Sequence, residues 1–196
     1  MRNIPSKEAE YWNQRYHQKQ TGWDIGHAAP ALVEFAQHIA NKNIAVLIPG
    51  CGNAYEAEAL FTMGFHNITL LDIAPTLTEA LRNRLKQTPI RVVTGDFFTH
   101  EGQYDLILEQ TFFCAIDPRR RSEYIKKMHE LLTPGGLLVG LLFDRLFEGG
   151  PPFGGSKTEY EMLLSPLFTI QKMESCNNSI VPRAGTELFF IARRKP

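Results

Sequence analysis

An open α/β sheet of seven strands, mostly parallel, with helices on both faces and an antiparallel strand pair at its C-terminal side, is the fold that this 196-residue sequence predicts. Three observations predict it. Five apolar residues, Ile44 to Ile48, run straight into Pro49-Gly50-Cys51-Gly52, as a strand buried on both faces does when it meets a turn. Strand-like and helix-like stretches then alternate as far as Phe143, the pattern of parallel strands joined by crossover helices. The last two strand-like stretches, Phe168 to Glu174 and Glu187 to Arg194, have no helix between them and so pair antiparallel at one edge.

Taken in order, residues Lys7 to about Gln18 read as a helix with Tyr11, Trp12 and Tyr16 at neighbouring surface positions. Thr21 to Gly26 is a loop, and Pro30 opens a second helix running to about Ala40. Both tryptophans, Trp12 and Trp23, precede the sheet. They either pack this segment onto the core or form an aromatic lid, whose ring faces would suit a cation. The expected organisation is a single domain, 1–196, with 1–40 as an N-terminal helical lid and 41–196 as a Rossmann-like core.

After the first strand and its turn, a helix from about Tyr55 to Met63 stops at Gly64. The second strand, Ile68 to Asp72, ends in a carboxylate 22 positions after Gly50. An acidic residue at roughly 20 positions reaches a ribose diol in doubly wound folds, although a strand-end Asp can also cap the next helix. Pro75 to Gln87 is helical, and Ile90 to Thr94 is the third strand, followed by Gly95-Asp96-Phe97-Phe98. There an Asp and an aromatic are suited to an adenine amino group and its ring. Tyr104 to Gln110 is the fourth strand. Asp117 then N-caps a helix with Pro118 at its first position, running to about Leu132. Leu137 to Phe143 is the fifth strand, and Glu148 to Gly155 is a Gly/Pro-rich loop. Ser156-Lys-Thr-Glu159 is a capping box opening a short helix.

The first turn bears on the ligand. A dinucleotide fingerprint, G-x-G-x-x-G/A, needs a small third residue, and Tyr55 stands there. That disfavours a pyrophosphate cofactor. S-adenosylmethionine needs only close backbone approach at such a turn. Composition excludes other classes: Lys plus Arg and Asp plus Glu are both 21, so no basic face for nucleic acid is indicated. Three cysteines, Cys51, Cys114 and Cys176, suggest neither a disulfide framework nor a metal site, and a reducing cytoplasm fits them. Residues 1–7 lead to no apolar signal core, and Leu137 to Phe143 is too short to span a bilayer. Membrane and nucleic-acid partners are therefore not expected, and a monomer is.

Several separated motifs then carry a resemblance. Leu47-Ile-Pro-Gly-Cys-Gly52, Phe112-Phe-Cys-Ala-Ile-Asp-Pro118, Leu131-Leu-Thr-Pro-Gly-Gly136 and Gly149-Gly-Pro-Pro-Phe153 are similar to the thiopurine S-methyltransferase family of class I S-adenosylmethionine-dependent methyltransferases. The chain is most similar to its thiol/halide branch, over almost its whole length, including Thr21-Gly-Trp-Asp-Ile-Gly26. The resemblance implies S-adenosylmethionine as cofactor. It puts Trp12, Tyr16 and Trp23 against it, Gly50 beneath the methionine moiety, Asp72 on the ribose, and Asp96 with Phe97 at the adenine, and it counts Cys51, Gly52 and Ile73 among the cofactor-binding residues. Glu109 falls at the methionine end, where its charge would pair with the ammonium. Arg121 and Phe153 fall at the pocket for a small or anionic substrate. The sequence departs from the family with Tyr16, where many members have Trp, and with Phe143, where some carry Tyr.

The implied reaction is methyl transfer to a small thiol, a thiopurine or a halide-like ion, nucleophiles that need little general-base help. No residue is singled out as a catalytic base. Methyl transfer to oxygen or nitrogen, and cofactor binding without turnover, are the alternatives.

Overall fold

The computed structural model describes residues 7–196, so the polar N-terminus read for residues 1–6 lies outside the described residues. The chain runs α1 (Lys7–His17), α2 (Pro30–Gln37), β1 (Val46–Pro49), α3 (Tyr55–Thr62), β2 (Ile68–Asp72), α4 (Pro75–Arg84) and β3 (Arg91–Thr94). It continues with β4 (Tyr104–Gln110), α5 (Arg121–Leu131), β5 (Leu132–Phe143), α6 (Lys157–Leu164), β6 (Phe168–Ser175) and β7 (Glu187–Arg194). One seven-stranded sheet has the order β3-β2-β1-β4-β5-β7-β6. Strands β1 to β5 pair in parallel, and β7 lies antiparallel between β5 and β6. The order reverses between β1 and β4, which puts a crevice at the carboxyl ends of those two strands.

Side chains alternate across the sheet because a strand has a period of two. Val46, Ile48, Leu70, Leu106 and Val139 join a core under α2, α3 and α4, with Leu32, Leu60 and Leu81. Leu47, Leu71, Ile107, Leu138 and Leu142 face the other way, against Tyr124, Ile125 and Met128 of α5 and Tyr160 and Leu164 of α6. Each such side chain taken fully out of water contributes about 1.5–3 kcal/mol, so apolar burial on the two faces is the main term holding the helices to the sheet. One polar contact does set a position: Glu56 on α3, buried, accepts from the Ala29 backbone N at 2.9 Å and so ties the start of α2 to α3.

The boundaries differ from the sequence reading in places with identifiable causes. Strand β5 begins at Leu132, not Leu137, because Thr133 to Gly136 stays extended alongside β4. The register jumps there, Tyr104 pairing with Leu132 and Leu106 with Leu137, and a bulge of this kind tolerates Pro134. Asp105 pins it, accepting from Thr133 Oγ1 at 3.0 Å and from Ala45 N at 2.9 Å. Helix α4 ends at Arg84, short of Gln87, and the Thr88 hydroxyl bonds the Leu85 carbonyl at 2.8 Å to form a turn. Asp117 caps as expected, accepting from Arg119 N at 2.9 Å, but what it caps is a 3₁₀ turn, Pro118–Arg120, with α5 following at Arg121. Ser156 caps α6 through Glu159 N at 3.4 Å. No helix among the described residues is long and apolar enough to cross a membrane.

Candidate active site

The turns after β1, β2, β3 and β4 converge on the carboxyl edge of the sheet, and a cavity of about 480 Å³ lies over them. Its floor is Gly50, Leu71, Asp72, Ile73, Gly95, Asp96, Phe97, Thr111 and Phe112; its roof is α1 with Trp23. The floor depends on a glycine. Gly50 has φ +57°, and a Cβ there would lie 2.3 Å from Phe112 Cδ2, so a side chain is excluded both by backbone conformation and by space. Thr111 also sits in the left-handed region, at φ +61°. A β-branched residue rarely adopts that conformation, and such strain clusters at ligand sites.

Asp72 is the buried carboxylate of the floor. It accepts from Ala74 N at 3.0 Å and, at 3.4 Å, from Gly52 N, so it steadies the turns after β2 and β1. It does not cap the helix that follows: the N-cap of α4 is Ala74, and no side chain caps it. Burial pushes its carboxyl up to about 6, against the opposing hydrogen bonds of the Ala74, Gly52 and Ile73 backbone. Asp96 accepts through Oδ1 from Phe98 N at 2.9 Å, which fixes its carboxylate at the wall beside Phe97.

The roof is aromatic. Trp12 and Trp23 meet edge to face at 5.3 Å, and Tyr16 meets Trp23 likewise at 5.6 Å. Polar contacts hold this segment to the core: Asn13 Oδ1 accepts from Thr76 N at 2.8 Å, and Arg183 donates to the Trp23 carbonyl at 2.7 Å. Asn53 donates to Asp24, and Glu8 pairs with Arg120 at 3.6 Å. At the far end the wall changes character, with Phe143, Phe147, Pro151 and Pro152 around the cations Arg145 and Arg183.

Eight of the residues singled out from sequence line this cavity together: Trp12, Tyr16, Trp23, Gly50, Asp72, Ile73, Asp96 and Phe97. Cys51 and Gly52 line a smaller adjoining cleft with Asp24 and Tyr55. Three others lie elsewhere. Glu109 is wholly buried beneath the floor, Arg121 is buried behind the 144–155 loop, and Phe153 does not line the cavity. Arg121 pairs with Glu159 and donates to the Gly154 carbonyl at 2.8 Å and the Phe153 carbonyl at 3.4 Å. Both terminal nitrogens are spent on the protein itself, while Nε is buried without a hydrogen-bond partner among the described residues. Phe153 is drawn away by its backbone, whose N donates to the Cys114 carbonyl at 2.6 Å. The loop reaches the cavity through Pro151 and Pro152 instead.

Sequence reasoning missed Thr111, Arg145 and Arg183. Arg183 lies in a polar loop with no periodicity to mark it, and a positive φ at a threonine leaves no trace in sequence. Cys114 lines the cavity, but burial raises its thiol pKa far above the ordinary value, and burial does the same for Cys51. Neither is a thiolate nucleophile. Among the described residues no three His, Cys, Asp or Glu side chains are placed to hold a metal ion.

Residues 7–191 match the family described as thiopurine S-methyltransferase. The chain belongs to that family. A probable thiol methyltransferase 2 of Arabidopsis thaliana is 33% identical over 186 residues, which cover 90% of this chain and 81% of that one. Thiocyanate methyltransferase 1 of Brassica oleracea is 31% identical over 189 residues, with the same coverage of 90% and 81%. Among solved structures, a 1,6-didemethyltoxoflavin-N1-methyltransferase of Burkholderia thailandensis with bound S-adenosylhomocysteine superposes with a TM-score of 0.75. It covers 100% of this chain and 94% of that one at 20% identity, a likeness of fold. This thiopurine S-methyltransferase family member is an enzyme, and its methyl donor is S-adenosylmethionine. The cavity fits that donor in chemistry: a buried carboxylate suits a diol, a left-handed glycine admits close backbone approach, and a roof of indole and phenol rings suits a sulfonium.

Proposed function

We propose that this enzyme methylates a small thiol or a halide-like anion such as thiocyanate, binding the acceptor at the Phe143–Arg183 end of the cavity and the donor over Gly50, Asp72 and Asp96. One observation carries the division. The cavity holds Asp72 and Asp96 on the floor beside the strand ends and Glu8 with Arg15 of α1 at the roof, while Arg145 and Arg183 stand among the rings of Phe143 and Phe147. Arg183 is already paired with Glu187 at 3.2 Å and donates to the Trp23 carbonyl, so beside Phe143, 5.4 Å from its ring centre, it shapes the wall; of the two arginines, Arg145 is the one without an ion pair among the described residues. Arg145 lies over Phe147 at 4.6 Å. Cations set against aromatic walls attract an anion or a thiolate while shedding water around it.

Bound S-adenosylmethionine supplies an electrophilic methyl group on a sulfonium. The protein's part is to place an electron-rich atom about 3–3.5 Å from that carbon, in line with the departing sulfur, and to keep water out. Asp72 is assigned to the ribose hydroxyls and Asp96 with Phe97 to the adenine. Trp12, Tyr16 and Trp23 close the roof over the sulfonium, with Cys51 and Gly52 behind the methionine end. Residues 7–40 act as the lid on the core that follows. Burial pushes the Tyr16 phenol pKa far above its ordinary value, so it remains a neutral ring and hydroxyl at neutral pH rather than a base. Good nucleophiles need no such base.

The free cysteines, all buried, support a cytoplasmic protein, and light scattering is expected to return the mass of a monomer. An acceptor panel tests the activity itself. Incubated with labelled donor, the enzyme is expected to methylate bisulfide, thiocyanate, iodide or an aryl thiol in preference to amines and alcohols; preference for an amine would overturn the reading. Titration with S-adenosylhomocysteine is expected to change the emission of Trp12 and Trp23. Unaltered emission at saturation would remove the two indoles from the donor site.

A further inference from the structure

Glu109 is a buried ionisable side chain that the chemistry above leaves unused. It lies near the end of β4, 0% exposed, and does not line the cavity. A slot is built for it. Its register partner on β5 is Gly140, where a Cβ would fall 2.8 Å from Glu109 Cβ, 2.5 Å from the Glu109 carbonyl oxygen and 2.9 Å from Phe190 Cε1. Only glycine at 140 lets the two strands close with a carboxyl-bearing side chain between them. Oε1 accepts from Phe113 N at 2.7 Å, and Oε2 is buried with no hydrogen-bond partner among the described residues.

Phe113 belongs to the turn whose neighbours Phe112, Cys114, Ala115 and Ile116 all line the cavity. Its own ring faces inward, 5.0 Å from Tyr124 and 5.6 Å from Tyr160. The turn starts from Thr111 in its left-handed conformation. A strained backbone persists only where its surroundings hold it; Cys114 Sγ donates to the Thr111 carbonyl at 2.9 Å, Phe153 N to the Cys114 carbonyl at 2.6 Å, and the Glu109 carboxyl meets the turn from below at Phe113 N.

We propose that Glu109 is a positioning residue for the methyl acceptor: from beneath the floor its carboxyl group holds the 111–116 turn, and with it the wall of Phe112, Cys114, Ala115 and Ile116, in the shape the acceptor meets. The proposal rests on the methyltransferase reading above and deepens it. It also replaces the pairing with the donor's ammonium that the family resemblance implies for this residue.

The protonation state follows from the surroundings. Burial pushes the Glu109 carboxyl up to about 8, Glu187 on β7 adds to the rise, and the Phe113 and Phe112 backbone opposes it. Cys114, Tyr124 on α5 and Tyr160 on α6 also feel its charge, and Arg121 and Arg183 act on Cys114 nearby. At pH 7 the group is the neutral acid. Above about 8 it ionises, and a buried, half-partnered charge then presses on the turn.

The test compares wild type with Glu109→Gln and Glu109→Leu, using thiocyanate as an acceptor that does not itself titrate. Glutamine keeps the Oε1 acceptor and the neutral state, so kcat/KM at pH 7 is expected to stay within about threefold, with the decline above pH 8 abolished. Leucine removes the acceptor, so kcat/KM is expected to fall about tenfold or more, mainly through KM, with S-adenosylhomocysteine Kd changed less than about threefold. Amide exchange at Phe113 is expected to be slow in wild type and Glu109→Gln and fast in Glu109→Leu. A folded Glu109→Leu with unchanged KM and unchanged exchange overturns the proposal, as does a tenfold or greater loss of S-adenosylhomocysteine affinity in Glu109→Gln, which would restore the ammonium pairing. Should Glu109→Leu not fold, the alkaline limb of Glu109→Gln decides: its disappearance supports the proposal and its persistence overturns it. If wild type methylates no acceptor, the proposed function alone fails, and Phe113 exchange in the variants still decides the role of Glu109.

Discussion

Arg121→Ala is expected to lower the unfolding free energy by about 2–4 kcal/mol, among the largest effects of any single side chain outside the apolar core. The guanidinium is 4% exposed, pairs with Glu159, donates to the Gly154 and Phe153 carbonyls, and lies 4.8 Å from the Phe113 ring centre. Truncation orphans two carbonyls and leaves a carboxylate without its partner. Because the Glu159 side chain is 40% exposed, water recovers part of that loss, and the figure stays below the roughly 5 kcal/mol limit for a fully buried pair. For a chain of this size, melting temperature falls about 2–4 °C per kcal/mol, which calorimetry resolves easily. The acceptor KM is expected to rise as well, since the 144–155 loop brings Pro151 and Pro152 to the cavity. Arg121→Lys should recover only part of both, lacking the fork that spans Glu159 and a carbonyl. An unchanged melting temperature with a raised KM would show direct contact with the substrate instead.

Asp72→Ala is expected to weaken S-adenosylhomocysteine binding by about 1–3 kcal/mol or more, measured by titration calorimetry. Two losses combine: the acceptor assigned to the ribose, and the partner of Gly52 N and Ala74 N that shapes the turn itself. The pH dependence gives an independent reading. Hydroxyl donors favour the carboxylate form, so donor affinity is expected to rise from pH 5 to about 7 as Asp72, pushed up to about 6, ionises, and then to level off. Without ligand the sign reverses. A folded value above the ordinary 3.8 means that the folded state holds its proton longer, so this group's contribution to stability is full below about 4 and is lost as pH rises through about 6. Asp72→Asn should flatten both profiles. Affinity that is flat from pH 5 to 7 in wild type would sink the assignment.

What the sequence determined by itself was the sheet and the floor of the site. Ile44 to Gly52, the carboxylate of Asp72 and the pair Asp96-Phe97 are local patterns, with apolar runs, turn glycines and strand-end acids set by chain spacing alone. The parallel order and the strand pair at the edge followed from where helices were present and absent. What only the tertiary structure decided was which way long side chains point when several elements meet. Arg121 is placed at the substrate pocket by the family resemblance alone, yet α6 brings Glu159 to it and the loop brings two carbonyls, so it faces the protein. Arg183 reads as one residue of a polar loop, yet Trp23, 160 positions earlier, and Glu187 on β7 fix it at the cavity. Glu109 is matched by the resemblance to a ligand for an ammonium, yet alternation along β4 sends it to the face covered by α5 and α6, beside Gly140. Charge and hydrogen-bond partners arrive from distant parts of the chain, and until the fold has assembled them, a residue's chemistry is known but its direction is not.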